Sequence, residues 1–181
     1  MMNDKQEKTG LIIVNTGDGK GKTTAALGIC VRAAGYNLKV AVIQFIKGSW
    51  HYGEIDGIKK LPNIELFQGG KGFVGIVDDN LTNEEHAKAA CDTLDFAREL
   101  IEGGKYNIII LDELNIAVSL GLIDIKDVLA MLEKKPAEMD IVITGRSAHK
   151  DLIEKADLVT EMKEIKHPFK KGIVAQKGID Y

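Results

Sequence analysis

The chain has 181 residues and a net charge of −3, from 24 Lys and Arg against 27 Asp and Glu. Apolar residues make up 45% and charged residues 28%, a balance that excludes a disordered, a collagen-like or a disulfide-stapled chain. The charge balance also gives no support for nucleic-acid binding. We expect a single domain over residues 1–181, with a polar tail at 1–10.

Targeting and membrane signals are absent from the sequence. The first ten residues are polar, and the most apolar stretch, 108–125, is interrupted by Asp112 and Glu113. The two cysteines, Cys30 and Cys91, are too far apart for a zinc or redox pair, and we expect both to be small buried residues. These features predict a cytoplasmic protein with no membrane partner.

Apolar runs and helical periodicities alternate along the chain, which predicts an α/β fold with a mainly parallel sheet and flanking helices. Strands are predicted at 11–15, 39–45, 64–67, 108–111, 141–144 and 158–161. Helices are predicted at about 22–34, 82–102, 125–134 and 148–155. Gly35 is expected to cap the first helix. Thr82 and Glu85 form a capping box at the start of the second, which presents Cys91 inward and His86 outward.

A glycine-rich turn between the first strand and the first helix is typical of a phosphate-binding loop. Its glycines let backbone N–H groups surround a phosphate, and the helix N-terminus favours anions. Lys22 would neutralise outer phosphates, and the Thr23 hydroxyl would hold Mg²⁺. A turn without a ligand is the alternative. The residues predicted to bind ATP are Thr16, Gly17, Asp18, Gly19, Lys20, Gly21, Lys22, Thr23 and Thr24; Thr16 stands where the usual pattern has a glycine.

The strand at 108–111 delivers Asp112 and Glu113 to the edge of the sheet where ligands bind, as a Walker B strand does. One of the two carboxylates would bind Mg²⁺ directly or through water; the alternative is that Asp112 caps the following helix. Arg146 ends the next strand and either contacts a phosphate or is solvated while Ser147 caps a helix. Lys47 is a weaker candidate for the same edge. Together these motifs predict a P-loop NTPase (RecA-like) architecture.

Aromatic residues cluster in the glycine-rich middle of the chain. Trp50, Tyr52, Phe67 and Phe73 lie in or beside this stretch. They suit either a lid over a large, flat, partly apolar ligand or ordinary packing. The four histidines lack metal-ligand spacing, and no Ser-His-Asp or Cys-His arrangement is found.

From Gly10 to Tyr181 the sequence resembles the P-loop type of ATP:corrinoid adenosyltransferase. The resemblance is carried by segments in a fixed order: 16–26, 32–35, 44–48 with Trp50, 53–54, 72–73, 110–115, 144–146, 156–162, 166–167 and 175–181. It implies an enzyme that moves the 5′-deoxyadenosyl group of ATP onto the Co(I) of a corrinoid. The products would be adenosylcobalamin, or an adenosylated precursor, and inorganic triphosphate.

The resemblance also implies roles for individual residues. Lys22, Lys20 and Arg146 would stabilise the leaving triphosphate, with Mg²⁺ at Thr23 and Asp112 or Glu113. Phe73 and Trp50 would bind the corrinoid, and Gly75 stands where relatives carry a second aromatic residue.

A homodimer and a flavodoxin-like electron donor for Co(II) are further implications of the resemblance. A P-loop phosphotransferase or ATPase, with Glu113 as its base, remains an alternative. A nucleotide-dependent corrinoid carrier is another.

Overall fold

The computed structural model describes residues 8–47, 51–72 and 81–181. Within them, six parallel strands form a sheet in the order β3-β2-β4-β5-β1-β6. The strands are β1 (Ile12–Thr16), β2 (Val40–Gln44), β3 (Ile64–Gln68), β4 (Ile108–Asp112), β5 (Asp140–Thr144) and β6 (Leu158–Glu161). The predicted α/β class and the parallel sheet are therefore confirmed.

Helices flank this sheet. They are α1 (Lys22–Gly35), α2 (Gly53–Ile58), α3 (Asn83–Glu102), α4 (Leu114–Ser119), α5 (Ile125–Leu132) and α6 (Lys150–Lys155), with a 3₁₀ turn at Pro168–Lys171. The capping box of α3 is present: Glu85 N donates to Thr82 Oγ1 at 3.2 Å, and Thr82 N donates to Glu85 Oε2 at 2.9 Å. Among the described residues, no helix is both long enough and apolar enough to span a membrane.

The central strands of the sheet are covered on both faces, which explains their continuous apolar runs, whereas the edge strand β6 is exposed. Every residue of β2 and of β4 is buried. One core cluster packs side chains such as Ile43, Leu111 and Ile143 with α3 and α5, and the other packs Val42 and Ile110 with α1.

Strand order determines which side chains meet at the binding edge. β5 lies between β1 and β4, so its last residue, Thr144, is placed between the phosphate loop and the acidic strand. Gln44 at the end of β2 is in register with Asp112 at the end of β4. Because parallel strands present their carboxyl ends at one edge, these polar side chains form a single group.

Several local predictions are wrong. His86 is 4% exposed and Cys91 is exposed, because the buried face of α3 is rotated from the predicted one. That face includes Thr93, whose Oγ1 donates to Ala89 O at 2.6 Å and so satisfies its own hydroxyl inside the helix. Gly35 is the last residue of α1 rather than a left-handed cap, and Asn37 takes the left-handed conformation instead (φ 56°).

Gly28 and Gly70 should respond oppositely to an added methyl group. Gly28 is exposed in α1 with open space around its Cβ position, so Gly28→Ala should raise the free energy of unfolding by about 0.5–1 kcal/mol. At Gly70 a Cβ would lie 2.4 Å from the Phe45 carbonyl oxygen. Gly70→Ala should therefore lower the free energy of unfolding by about 1–3 kcal/mol. Urea denaturation of both variants measures the two shifts, and equal shifts would contradict this packing.

Candidate nucleotide-binding site

The loop between β1 and α1 is built around two left-handed glycines. Gly17 has φ 94° and Gly21 has φ 116°, conformations that side chains with a Cβ rarely adopt. A Cβ on Gly17 would also lie 2.5 Å from the Met162 carbonyl oxygen. Gly19 N donates to this same oxygen at 2.6 Å. The loop is therefore held against the residue that follows β6, and glycine is required for this close approach.

Lys22 begins α1 and points back into the loop. Lys22 is 8% exposed, and its Nζ donates to the carbonyl oxygens of Gly17 and Gly19, both at 2.7 Å. Burial lowers the pKa of Lys22, and the nearby Glu113 carboxylate opposes that effect. The loop thus encloses a preformed cation where the outer phosphates of a nucleotide are expected.

Asp112 is the centre of a buried polar network. It is 1% exposed, and its Oδ1 accepts hydrogen bonds from Thr23 Oγ1 and Thr144 Oγ1, each at 2.8 Å. Its Oδ2 lies 3.3 Å from Gln44 Nε2, which donates to it, and 3.4 Å from Lys47 Nζ. The structure thus brings Thr23 and Asp112 together. The alternative role of Asp112, as a helix cap, is wrong, because Glu113 is the N-cap of α4 and no side chain caps it.

Glu113 differs from its neighbour in conformation and environment. Its backbone is left-handed (φ 63°), held by a 2.9 Å hydrogen bond from Glu113 N to Thr144 Oγ1. Its Oε2 is buried and has no hydrogen-bond partner among the described residues. Burial, together with the charge of Asp112, raises the pKa of Glu113 to about 7. A Cβ on Gly145 would lie 3.1 Å from this oxygen, so glycine leaves space for the carboxylate.

Lys47 connects the network to α2. Its Nζ lies 2.6 Å from Glu54 Oε1 in the first turn of α2, and 4.9 Å from the centre of the Tyr52 ring. Burial lowers the pKa of Lys47, but the carboxylates of Asp112 and Glu54 outweigh it and raise the pKa above its usual value. The sequence does not predict Glu54 as the partner of Lys47. It indicates only that Lys47 follows a strand that ends at the carboxyl edge of the sheet.

Lys20 and Arg146 lie at the margins of the loop. Lys20 Nζ forms an ion pair with Asp180. Arg146 is exposed, yet its charge adds to the lowering of the Lys22 pKa and offsets part of the rise in the Glu113 pKa, so it contributes to the electrostatic field at the loop. Arg146 also lines a polar cleft on the β6 side of the loop, with Asp18, Glu161, Lys163, Glu164 and Lys170.

The capping role considered for Ser147 is wrong, because His149 is the N-cap of α6 and its Nδ1 accepts from Asp151 N at 3.2 Å. Ser147 has a left-handed backbone (φ 55°) instead. Thr16, predicted to bind nucleotide, accepts a 3.1 Å hydrogen bond at Oγ1 from Ala148 N. This bond connects the end of β1 to the segment that precedes α6.

A cavity of about 430 Å³ opens between the loop, α2 and the last residues of the chain. It is lined by Lys20, Gly21, Lys22, Thr23, Thr24, Leu27, Lys47, Tyr52, Gly53, Glu54, Glu113, Gly178, Ile179, Asp180 and Tyr181. Most of the predicted phosphate-binding residues thus face one space, together with Glu113. Phe73, Gly75 and Trp50, which the sequence associates with the corrinoid, lie outside the described residues.

Comparison with known proteins identifies the chemistry associated with this arrangement. A family model described as ATP:corrinoid adenosyltransferase BtuR/CobO/CobP matches residues 8–181. A corrinoid adenosyltransferase of a Sinorhizobium species is 42% identical over 184 residues, covering 100% of this chain and 85% of that protein. The corrinoid adenosyltransferase of Escherichia coli K12 is 38% identical over 177 residues, covering 97% of this chain and 88% of that protein.

Solved structures resemble the fold at much lower identity. The flagellar accessory protein FlaH of Methanocaldococcus jannaschii aligns with a TM-score of 0.58 at 12% identity, covering 85% of this chain and 71% of that one. A KaiC-like protein of Pyrococcus horikoshii OT3 aligns with a TM-score of 0.53 at 16% identity, covering 87% and 75%. These likenesses confirm the predicted α/β fold, a parallel sheet with flanking helices.

The match along residues 8–181 and the identity to two corrinoid adenosyltransferases confirm the family and the enzyme class that the sequence predicts. The chain belongs to the ATP:corrinoid adenosyltransferase family.

Proposed function

We propose that this enzyme transfers the 5′-deoxyadenosyl group of ATP to the Co(I) of a corrinoid and releases inorganic triphosphate. The observation that carries the proposal is the family match over residues 8–181. Cobalt supplies the electron pair for the new Co–C5′ bond, and the C5′–O bond pair leaves with the triphosphate. Because the substrate is itself the nucleophile, the reaction needs no protein base. The protein contributes positioning and stabilisation of the charge on the leaving group.

The buried cation in the loop suits this second task. Lys22 would donate to the triphosphate oxygens from the position that its Nζ holds between Gly17 and Gly19. Lys20 and Arg146 would add positive charge at the margins of the loop, and the amides of residues 17–24 would complete the anion site. A preorganised cation and preorganised amides need little rearrangement when the leaving group acquires its charge.

Mg²⁺ fits the donors beside the loop. A hydroxyl and one or two carboxylates are what Mg²⁺ takes from a protein when phosphates and water supply its other ligands. Thr23 and Glu113 line the same cavity as Lys22, and Glu113 also carries a buried oxygen, Oε2, without a hydrogen-bond partner among the described residues. When bound there, Mg²⁺ would neutralise part of the triphosphate charge.

The two adjacent carboxylates would then have different roles. Both oxygens of Asp112 accept hydrogen bonds from Thr23, Thr144 and Gln44, and the residue does not line the cavity. Glu113 lines the cavity and keeps one oxygen without a partner among the described residues. We therefore assign direct metal contact to Glu113 and orientation of Thr23 to Asp112.

The remaining expectations concern the second substrate and the setting of the enzyme. Contacts of Phe73 and Trp50 with the corrinoid, a homodimer and a flavodoxin-like electron donor for Co(II) stay predictions. So do a cytoplasmic location and a single nucleotide-binding domain over residues 1–181.

One observation favours a P-loop phosphotransferase or ATPase as a second candidate. A carboxyl group with a pKa of about 7, as at Glu113, suits a general base that activates a hydroxyl or water. That chemistry breaks the bond between the β and γ phosphates, so its product separates the two candidates.

Product analysis tests the proposed function directly. Protein, Mg·ATP and chemically reduced cobalamin are incubated without oxygen, while the corrinoid spectrum is followed and the phosphate product is identified. We expect light-sensitive adenosylcobalamin and one inorganic triphosphate for each corrinoid converted. ADP and phosphate with an unchanged corrinoid would instead establish the phosphotransferase, and tight corrinoid binding without turnover would establish a carrier.

Removing the loop cation should abolish most of the transfer. Lys22→Met keeps most of the aliphatic stem of this buried side chain but removes the charge that stabilises triphosphate, so kcat should fall by about 100-fold or more. The rate of adenosylcobalamin formation from chemically reduced cobalamin measures the loss. Lys59→Met, on an exposed lysine outside the cavity, is the matched control. Transfer at the wild-type rate in Lys22→Met would exclude Lys22 from charge stabilisation.

Glu113 should make the stability of the Mg²⁺-free protein depend on pH. Its pKa is raised from 4.5 to about 7, so between these values the folded state keeps a proton that the unfolded state has lost. The free energy of unfolding of the wild type, relative to Glu113→Gln, should therefore fall as pH rises through this window, by at most about 3 kcal/mol. Urea denaturation in EDTA at pH 4.5 and pH 8 measures the change.

Glu102→Gln, at an exposed end of α3, is the control for the loss of a carboxylate. A difference between wild type and Glu113→Gln that does not vary with pH would contradict burial of an unpartnered Glu113.

A further inference from the structure

Residues 176–181 form a turn at the mouth of the nucleotide cavity. The N–H groups of Ile179 and Asp180 donate to the Gln176 carbonyl oxygen at 3.1 and 2.8 Å. In return, Gln176 N donates to Asp180 Oδ2 at 2.7 Å, and Gly178 N donates to the Tyr181 oxygen at 2.7 Å. The shape of this 176–181 turn is thus fixed by its own hydrogen bonds.

The 176–181 turn is attached to both sides of the cavity. On one side, the Asp180 carboxylate forms an ion pair with Lys20 of the phosphate loop, and the Asp180 side chain is 20% exposed. On the other side, a Cβ on Gly53 would lie 3.7 Å from the Tyr181 carbonyl carbon, so the turn lies against the start of α2. The turn therefore closes the gap between the loop and α2.

The cavity is lined by both polar and apolar side chains. Lys22, Thr23 and Glu113 supply the chemistry for phosphates and a cation. Leu27, Ile179 and Tyr181 supply apolar surface, and Ile179 is 72% exposed while Tyr181 is 45% exposed. Such open apolar side chains at the mouth of a binding cavity gain free energy when a flat ligand covers them.

We propose that the 176–181 turn is the wall against which the nucleoside of the substrate packs. The inference rests on the proposed function in one respect, that the ligand is ATP. Ile179 and Tyr181 contact the nucleoside, while the triphosphate lies in the phosphate loop. Asp180 is a positioning residue, because its ion pair with Lys20 fixes the wall relative to the phosphates. The proposal thus gives the sequence motif at 175–181, whose role phosphate binding does not explain, a role in binding the nucleoside.

Two ligands that differ only by the nucleoside test the proposal. Calorimetry measures the Kd of Mg·ATP and of Mg-bound inorganic triphosphate for wild type and variants. Ile179→Ala should weaken ATP binding by about three- to tenfold, since it removes apolar contact with the nucleoside, and should leave triphosphate binding unchanged. Ile173→Ala is the matched control, because Ile173 is an exposed isoleucine that precedes the 176–181 turn and does not line the cavity. It should change the binding of neither ligand.

Asp180 is tested by removing and then restoring its charge. Asp180→Asn should weaken ATP binding more than triphosphate binding, because the wall loses its attachment, and Asp180→Glu should recover most of the loss. Equal weakening of both ligands in Ile179→Ala, or unchanged ATP binding, would overturn the proposal. Tighter triphosphate binding by Asp180→Asn would also overturn it, since the turn would then compete with the phosphates.

The proposed function is judged separately from the wall. If the wild type binds ATP more tightly than triphosphate, Ile179→Ala reduces that preference, and the product is ADP, adenosyl transfer is refuted and the wall is supported. A wild type that adenosylates cobalamin but binds both ligands equally would support the transfer and refute the wall.

Discussion

The buried charge of Asp112 is the constraint on which the site depends. A carboxylate that is 1% exposed would cost several kcal/mol if it were left without partners. Its partners come from four parts of the chain: Thr23 from α1, Gln44 from β2, Thr144 from β5 and Lys47 from the segment after β2. Each partner must sit at the carboxyl edge of the sheet to reach it. Satisfying this one anion therefore fixes the first turn of α1, and with it the phosphate loop, relative to three strands.

The separate character of Glu113 follows from that network. Thr144 Oγ1 donates to Asp112 and accepts from Glu113 N, so the backbone turns sharply at the end of β4. Glu113 takes a left-handed backbone conformation at this turn, and Gly145 leaves the room that its side chain requires. Two adjacent carboxylates thus acquire opposite environments, one fully hydrogen-bonded and one with an unpartnered oxygen. Burial of that unpartnered carboxyl group is the main cause of the raised pKa of Glu113.

The sequence predicts those parts of the site that depend on local chemistry. The spacing of Gly17, Gly21 and Lys22 between a strand and a helix specifies the loop, and the capping box at Thr82 specifies the start of α3. The position of Asp112 at the end of an apolar run is similarly local. Such features need only the residues within a few positions, so they can be recognised without knowledge of the fold.

Partners distant in the sequence could not be predicted in this way. The ion pair of Lys20 with Asp180 joins opposite ends of the chain, and Glu54 as partner of Lys47 depends on α2, whose six residues include two glycines and carry little helical signal. The faces of α3 were assigned wrongly because a buried histidine and threonine resemble a polar surface in sequence. Tertiary packing determines these ion pairs and the buried face of α3, whereas a sequence periodicity reflects only the spacing of residue types.

The fold by itself does not decide which bond of ATP breaks. FlaH and the KaiC-like protein share the arrangement of sheet and helices with this chain at 12% and 16% identity, so this arrangement is a scaffold common to proteins that have diverged widely. A loop that holds a lysine and a hydroxyl against a triphosphate stabilises charge whether the leaving group departs from phosphorus or from carbon. What distinguishes the two outcomes is which atom a nucleophile can approach. That approach depends on the surfaces that hold the nucleoside and the second substrate, which we propose to lie in the 176–181 turn and at Trp50 and Phe73. On this proposal, the residues that determine the reaction lie outside the motif that identifies the fold.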